Sequence, residues 1–157
     1  MPNAKTKSKE SASIPRFEAS LPMALLRARD AAMMHFRPVF TEADLTEQQW
    51  RVLRALYDES SVDISSLAKT CHILLPSMSG ILKRLEARGL IKRSANQNDQ
   101  RSSVVAITHK AKNLIRSLTP HVEERYEEIQ ALIGKKQLEH LYALLAELEE
   151  SLQDRPN

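Results

Sequence analysis

Between Leu45 and Thr108 the chain carries three separately punctuated helical segments followed by two β-type runs, and that order restricts its fold more than any other feature. In LTEQQWRVLRALYD, Thr46 is placed to cap a helix, Gln49 to return the capping-box bond, and Leu45 to staple onto Trp50. Asp63 caps a short helix, ISSLAKTC. Pro76 takes the favoured first position of PSMSGILKRLEAR, which Gly89 terminates. The stretch GLIKRSANQNDQRSSVVAIT then reads as a hairpin whose connection holds Asn96, Gln97, Asn98, Asp99, Gln100 and Arg101 and no glycine. A hairpin that only reversed the chain would use Asn-Gly or Asp-Gly, which tolerate the positive φ of a tight turn.

Helix, helix, helix, hairpin is the order of a winged helix-turn-helix, in which the third helix enters the major groove and the hairpin reaches sideways. A polar, arginine-bearing tip then has a purpose: donors along phosphates and a guanidinium in the narrow minor groove. A solvated loop in which Asp99 pairs with Arg101 is the competing reading.

Helical periodicity flanks this segment on both sides. Leu21, Leu25, Ala28, Ala32, Phe36 and Val39 recur at three- and four-residue steps, and Pro38 is expected to end or bend that helix. Ala111, Leu114, Leu118, Val122, Tyr126, Ile129 and Ile133 mark another, which Thr119-Pro120 would kink or restart. Leu138, Leu141, Leu145, Leu148 and Leu152 then follow a heptad pattern suited to packing on another helix. The expected fold is mainly α with a small two-stranded β wing. Its expected organisation is a disordered basic tail over 1–15, an N-terminal dimerisation helix over 16–44, a winged helix-turn-helix over 45–108 and C-terminal dimerisation helices over 109–157.

Charge agrees with a divided role. Lys and Arg exceed Asp and Glu by three in 157 residues, yet the excess lies in the first hundred residues and the part after Pro120 is acidic. The lone Cys71 allows no intramolecular disulfide and fits a reducing cytoplasm. No apolar run approaches the roughly 18 residues of a membrane span, and MPNAKTKSKESAS lacks the apolar core of a signal peptide.

On the third helix Met78, Ile81, Leu82 and Leu85 share one side, which should be the core side. Pro76, Gly80, Lys83 and Ala87 lie opposite, flanked by Ser77, Ser79 and Arg84. Small outward residues would let the backbone approach base edges while Ser77, Ser79, Lys83 and Arg84 supply hydrogen bonds and charge. Gly80 either serves that approach or is a neutral surface glycine. Lys92 and Arg93 add charge on the first strand of the hairpin.

The runs LTEQQWRVLRAL, LPSMSGILKRLEARGLIKR and NDQR before SSVVAIT resemble the MarR family of bacterial transcription regulators and, within it, the repressors of homoprotocatechuate (4-hydroxyphenylacetate) degradation. The resemblance covers residues 20 to 150. It implies an obligate homodimer, with interlocked first and last helices, that reads a palindromic double-stranded DNA operator. It also implies that Asp99 braces Arg101, the minor-groove contact, with Gln100 between them. Members often carry a bulky or basic side chain where this chain has Gly80, so the base readout does not transfer.

A second site is suggested by Arg29, which projects onto the same side as Leu25, Ala32, Met33 and Phe36. A buried guanidinium needs an anionic or carbonyl partner. That partner is either an internal glutamate or, as the resemblance implies, the carboxylate of a small aromatic acid such as 4-hydroxyphenylacetate or its 3,4-dihydroxy derivative. Arg16 is a weaker cationic candidate. Met33, His35 and Trp50 are candidates for the walls of an aromatic pocket, with plain packing as the alternative for each.

Enzyme signatures are missing: there is no HExxH, GxSxG or P-loop, and the five histidines are scattered. No cofactor or metal site is expected. A metal or redox sensor and a non-responsive DNA binder are the rival readings. Cys71, at the end of an apolar helix, looks more like a buried structural thiol than a reactive one.

Overall fold

The computed structural model describes residues 16–95 and 103–153. A 3₁₀ turn (Phe17–Ala19) precedes α1 (Leu21–Glu42), α2 (Glu47–Tyr57), β1 (Val62–Asp63), α3 (Ile64–Thr70), α4 (Leu75–Ala87), β2 (Ile91–Ala95), β3 (Ser103–Ile107), α5 (His109–Ile133) and α6 (Lys135–Gln153). The chain forms two compact units, one ending at Met33 and one beginning at Met34. In the first, Arg27 Nη1 donates to the Glu18 carbonyl at 2.6 Å and Ser20 Oγ to that of Phe17 at 2.9 Å, tying the 3₁₀ turn to the start of α1.

The second unit is built on the expected helix starts. Thr46 Oγ1 accepts from the Gln49 amide at 3.1 Å, and the Thr46 amide donates to Gln49 Oε1 at 2.9 Å, closing the capping box of α2. Asp63 Oδ1 accepts from the Ser66 amide at 2.9 Å at the start of α3, and hydrogen bonding from Ser66 holds this carboxyl below its usual range. Pro76 is the second residue of α4 rather than the first. Its missing N–H costs nothing there, because the first-turn amides have no helical acceptor.

Three helices end alike. Gly89 at φ +67° follows α4, Asp44 at φ 53° follows α1, and His72 at φ 49° follows α3. In each case the next amide reaches back to a carbonyl in the last turn: Leu90 to Leu85 at 3.0 Å, Leu45 to Phe40 at 2.8 Å and Ile73 to Ala68 at 2.9 Å. This left-handed stop satisfies end carbonyls.

Pro38 does not end α1, which runs on to Glu42. Phe36 and Phe40, on either side of it, are both buried, and the apolar burial outweighs one lost backbone bond. Pro120 likewise lies inside α5, where the Thr119 hydroxyl donates to the Ile115 carbonyl at 2.9 Å.

The hairpin pairs Ile91 with Ile107 and Arg93 with Val105 in antiparallel register. It gains a third strand: β1 joins β3 through Val62 and Val105, so the sheet order is β1-β3-β2. Below it Val52, Leu53, Leu56, Leu67, Met78, Ile81, Leu82 and Leu85 are wholly shielded together with Leu90, Ile91 and Val105. Thr108 joins sheet to α5: its hydroxyl donates to the Gly89 carbonyl at 2.8 Å and accepts from the Ala111 amide at 3.2 Å.

No residue of α6 is buried, and Leu141, Leu145 and Leu152 of its leucine seam are exposed. None of the described helices is long and apolar enough to cross a membrane.

Candidate functional site

The core directs α4. With Met78, Ile81, Leu82 and Leu85 buried, the opposite side is turned outward: Ser77, Ser79, Lys83 and Arg84 are exposed and Gly80 is half-buried. A Cβ on Gly80 would meet only the Arg84 guanidinium, at 3.7 Å, so the glycine leaves a flat seat across which Arg84 lies. The resulting surface has hydroxyls near the start of the helix and cations near its end, the set needed to address base edges and phosphates.

Lys92 and Arg93 are exposed on β2, but they are not equivalent. Arg93 donates through Nε at 2.8 Å and Nη2 at 2.5 Å to Glu86 Oε2 of α4. This pairing holds the Glu86 carboxyl below, and the Arg93 guanidinium above, their ordinary values. β2 lies along the end of α4, so Arg93 is exposed on this face and at the same time bound to the Glu86 carboxylate. Asp99, Gln100 and Arg101 lie outside the described residues.

Arg88 anchors the other end of α4. Its Nη1 donates to the Asp44 carbonyl, its Nη2 to that of Ala43 at 3.2 Å, and Lys110 Nζ donates to the Arg88 carbonyl at 2.7 Å. The end of α1, the end of α4 and the start of α5 thus share one set of bonds.

A cleft of about 420 Å³ opens between α2 and α5, lined by Trp50, Arg54, Tyr57, Arg116 and Tyr126 among others. Trp50 stacks on Phe40 at 5.0 Å between centroids, and Tyr126 leans on Phe36 at 4.8 Å. Arg116 Nε donates to Tyr57 Oη at 3.2 Å, while the Arg54 guanidinium lies 5.4 Å from the Tyr57 ring centre. Two guanidinia beside aromatic walls offer an anion a seat, with Asp58, 3.8 Å from Arg54 Nη1, and Glu123 on the same lining. Of these residues sequence reasoning singled out only Trp50. The others come from faces that meet only when α5 packs on α2.

The remaining effector candidates divide between the two units. Arg16 is exposed before the 3₁₀ turn and Met33 is half-buried in the first unit. His35 Nδ1 is 3.8 Å from Glu128 Oε2 in the second. Arg29 does not lie on a buried stripe: its side chain is 44% exposed, with Nη1 3.6 Å from Asp30 Oδ1. Periodicity marked one side of α1 as apolar without marking what covers it, and Leu21 and Leu25 on that side are themselves exposed.

Among the described residues no three His, Cys, Asp or Glu side chains are grouped to hold a metal ion. Cys71 is buried, and burial pushes its thiol up, away from the reactive thiolate.

Residues 45–103 match the MarR family. The chain is 40% identical to the HTH-type transcriptional regulator FarR of Neisseria gonorrhoeae over 130 residues, 83% of this chain and 89% of that protein. It is 41% identical to the homoprotocatechuate degradative operon repressor of Escherichia coli over 128 residues, 82% and 86% of the two chains. The crystal structure of NadR in complex with 4-hydroxyphenylacetate is similar with a TM-score of 0.76 and 35% identity, over 85% of this chain and 98% of that one. With its winged helices, outward-facing α4 and this likeness over most of its length, the chain belongs to the MarR family of transcription regulators.

Proposed function

We propose that the protein is a repressor that binds a palindromic DNA operator as a homodimer and leaves it when a small aromatic carboxylic acid binds. The observation that carries the DNA part is the split of α4, four apolar residues inward and Ser77, Ser79, Lys83 and Arg84 outward. Residues 16–44 and 109–157 supply the dimer contacts in this reading, for which the uncovered leucine seam of α6 is the support. The protein acts in the cytoplasm, where operator and catabolic acid meet, and it is a regulator rather than an enzyme.

The effector is 4-hydroxyphenylacetate or homoprotocatechuate. Its support is the identity to the homoprotocatechuate operon repressor and the similarity to NadR, whose structure holds 4-hydroxyphenylacetate. The cleft beside Trp50 suits such a ligand, with Arg54 or Arg116 toward the carboxylate and Tyr57 and Tyr126 toward the ring. Arg16, Arg29, Met33 and His35 are additional candidates to be tested singly.

Operator binding by the full-length protein, titrated with each acid, tests the whole reading. Dissociation of the complex by phenolic acetates and not by benzoate or acetate is the expected result. Operator affinity indifferent to every acid makes the protein a non-responsive binder. A redox-sensing alternative has less support, because Cys71 is buried with a raised pKa.

A further inference from the structure

Two large apolar side chains stand in the turn that opens α4. Leu74 is 78% exposed and Leu75 50% exposed. Packing does not explain them, and neither does local helix stability. Leu74 occupies the N-cap, a position that favours Ser, Thr, Asp or Asn, and makes no side-chain cap bond there. Leu75, Ser79 and Lys83 follow at four-residue steps and so share an edge of the helix. From Leu74 to Arg84 there is no acidic residue, and Glu86, beyond them, is held by Arg93. The outward edge of α4 therefore runs from apolar tip to hydroxyl to cation.

We propose that Leu74 and Leu75 read thymine in the operator, by packing against C5-methyl groups in the major groove. This rests on the operator-binding reading above. The first residues of a recognition helix are the ones that reach base edges, and the thymine methyl is the apolar feature a base pair shows in that groove. The cationic flank excludes an equally basic partner and favours a polyanion, so DNA is the occupant that satisfies both the apolar tip and the charge behind it.

The test uses the full-length protein and a duplex that it enriches from a randomised pool. Each dT is replaced in turn by dU, which removes only the methyl group. Parent protein should lose about fourfold in affinity per contacted methyl. Leu75→Ala and Leu74→Ala should bind the dT duplex more weakly, and at least one of them should show no further loss with dU at the contacted position. Equal affinity of the parent for dT and dU at every position overturns the proposal. So does an unchanged dT-to-dU ratio in both variants. Loss of the dimer in either variant, seen by sedimentation, would make a second copy of the chain the occupant and also overturn it. If no duplex is enriched, the operator-binding reading itself fails and this proposal with it. Enrichment followed by indifference to dU sinks the thymine contact alone.

Discussion

Arg93 of β2 and Glu86 of α4 are joined through a single carboxylate oxygen, with Nε at 2.8 Å and Nη2 at 2.5 Å from Oε2. The first strand of the hairpin is thereby tied to the end of α4, and the Arg93 guanidinium is engaged by that carboxylate.

Glu86→Gln should release Arg93. Affinity for DNA should rise, and the slope of log affinity against log salt should steepen by about one per subunit, as one more phosphate is neutralised. The folded-state pKa of Glu86 is lowered, so its contribution to stability is present above the unfolded value of 4.5 and lost as pH falls through the folded value. Urea midpoints of parent and variant should therefore differ at neutral pH and converge in acid. An unchanged salt slope would show that Arg93 cannot reach DNA even when freed.

Lys83 and Ser79 should separate affinity from specificity. Lys83→Ala should weaken binding about equally across operator variants and flatten the salt slope, whereas Ser79→Ala should narrow the differences between variants. Arg101→Ala should cost most on duplexes with A·T-rich flanks, where the minor groove is narrow. Competition binding with a panel of duplexes measures all three.

Arg54→Met and Arg29→Met distinguish two places for the effector carboxylate. Loss of a charge-assisted bond in a partly dry site corresponds to more than about tenfold in affinity, so the variant carrying the true clamp should lose 4-hydroxyphenylacetate binding while still binding operator. The other variant should titrate like the parent. If isothermal titration shows both unaffected, Arg116 is the next residue to replace. Trp50→Ala should weaken the acid and also destabilise the fold, since its indole stacks on Phe40.

Leu145→Asp introduces a carboxylate into the α6 seam, where Leu141 and Leu145 are exposed in the single chain. In a dimer that buries the seam, an unpaired charge costs several kcal/mol, enough to separate the subunits and abolish cooperative folding. A parental molecular mass by light scattering would place the interface elsewhere.

Thr46→Ala removes the hydroxyl acceptor of the α2 capping box and leaves Gln49, which is buried, with half its local bonding. The expected loss is about 1 to 2 kcal/mol of folding stability, read from chemical denaturation.

Features that close within three or four residues were legible in the chain itself. The Thr46 and Gln49 bonds, the Asp63 cap, the Gly89 stop and the inward set Met78, Ile81, Leu82 and Leu85 depend on side-chain chemistry and helical period alone. The stops at Asp44 and His72 use the same geometry without glycine, so no residue type announced them. Pro38 read as ending or bending α1 because its local cost is real, while the burial of Phe40 that carries the helix past it depends on contacts elsewhere in the fold. Pairings between distant elements belong to tertiary structure: Glu86 with Arg93, Arg88 with the end of α1, Arg116 with Tyr57, and β1 with β3. Periodicity gives each helix an apolar side but carries no information about which surface meets it, and the faces that chemistry requires are assembled only when those surfaces dock.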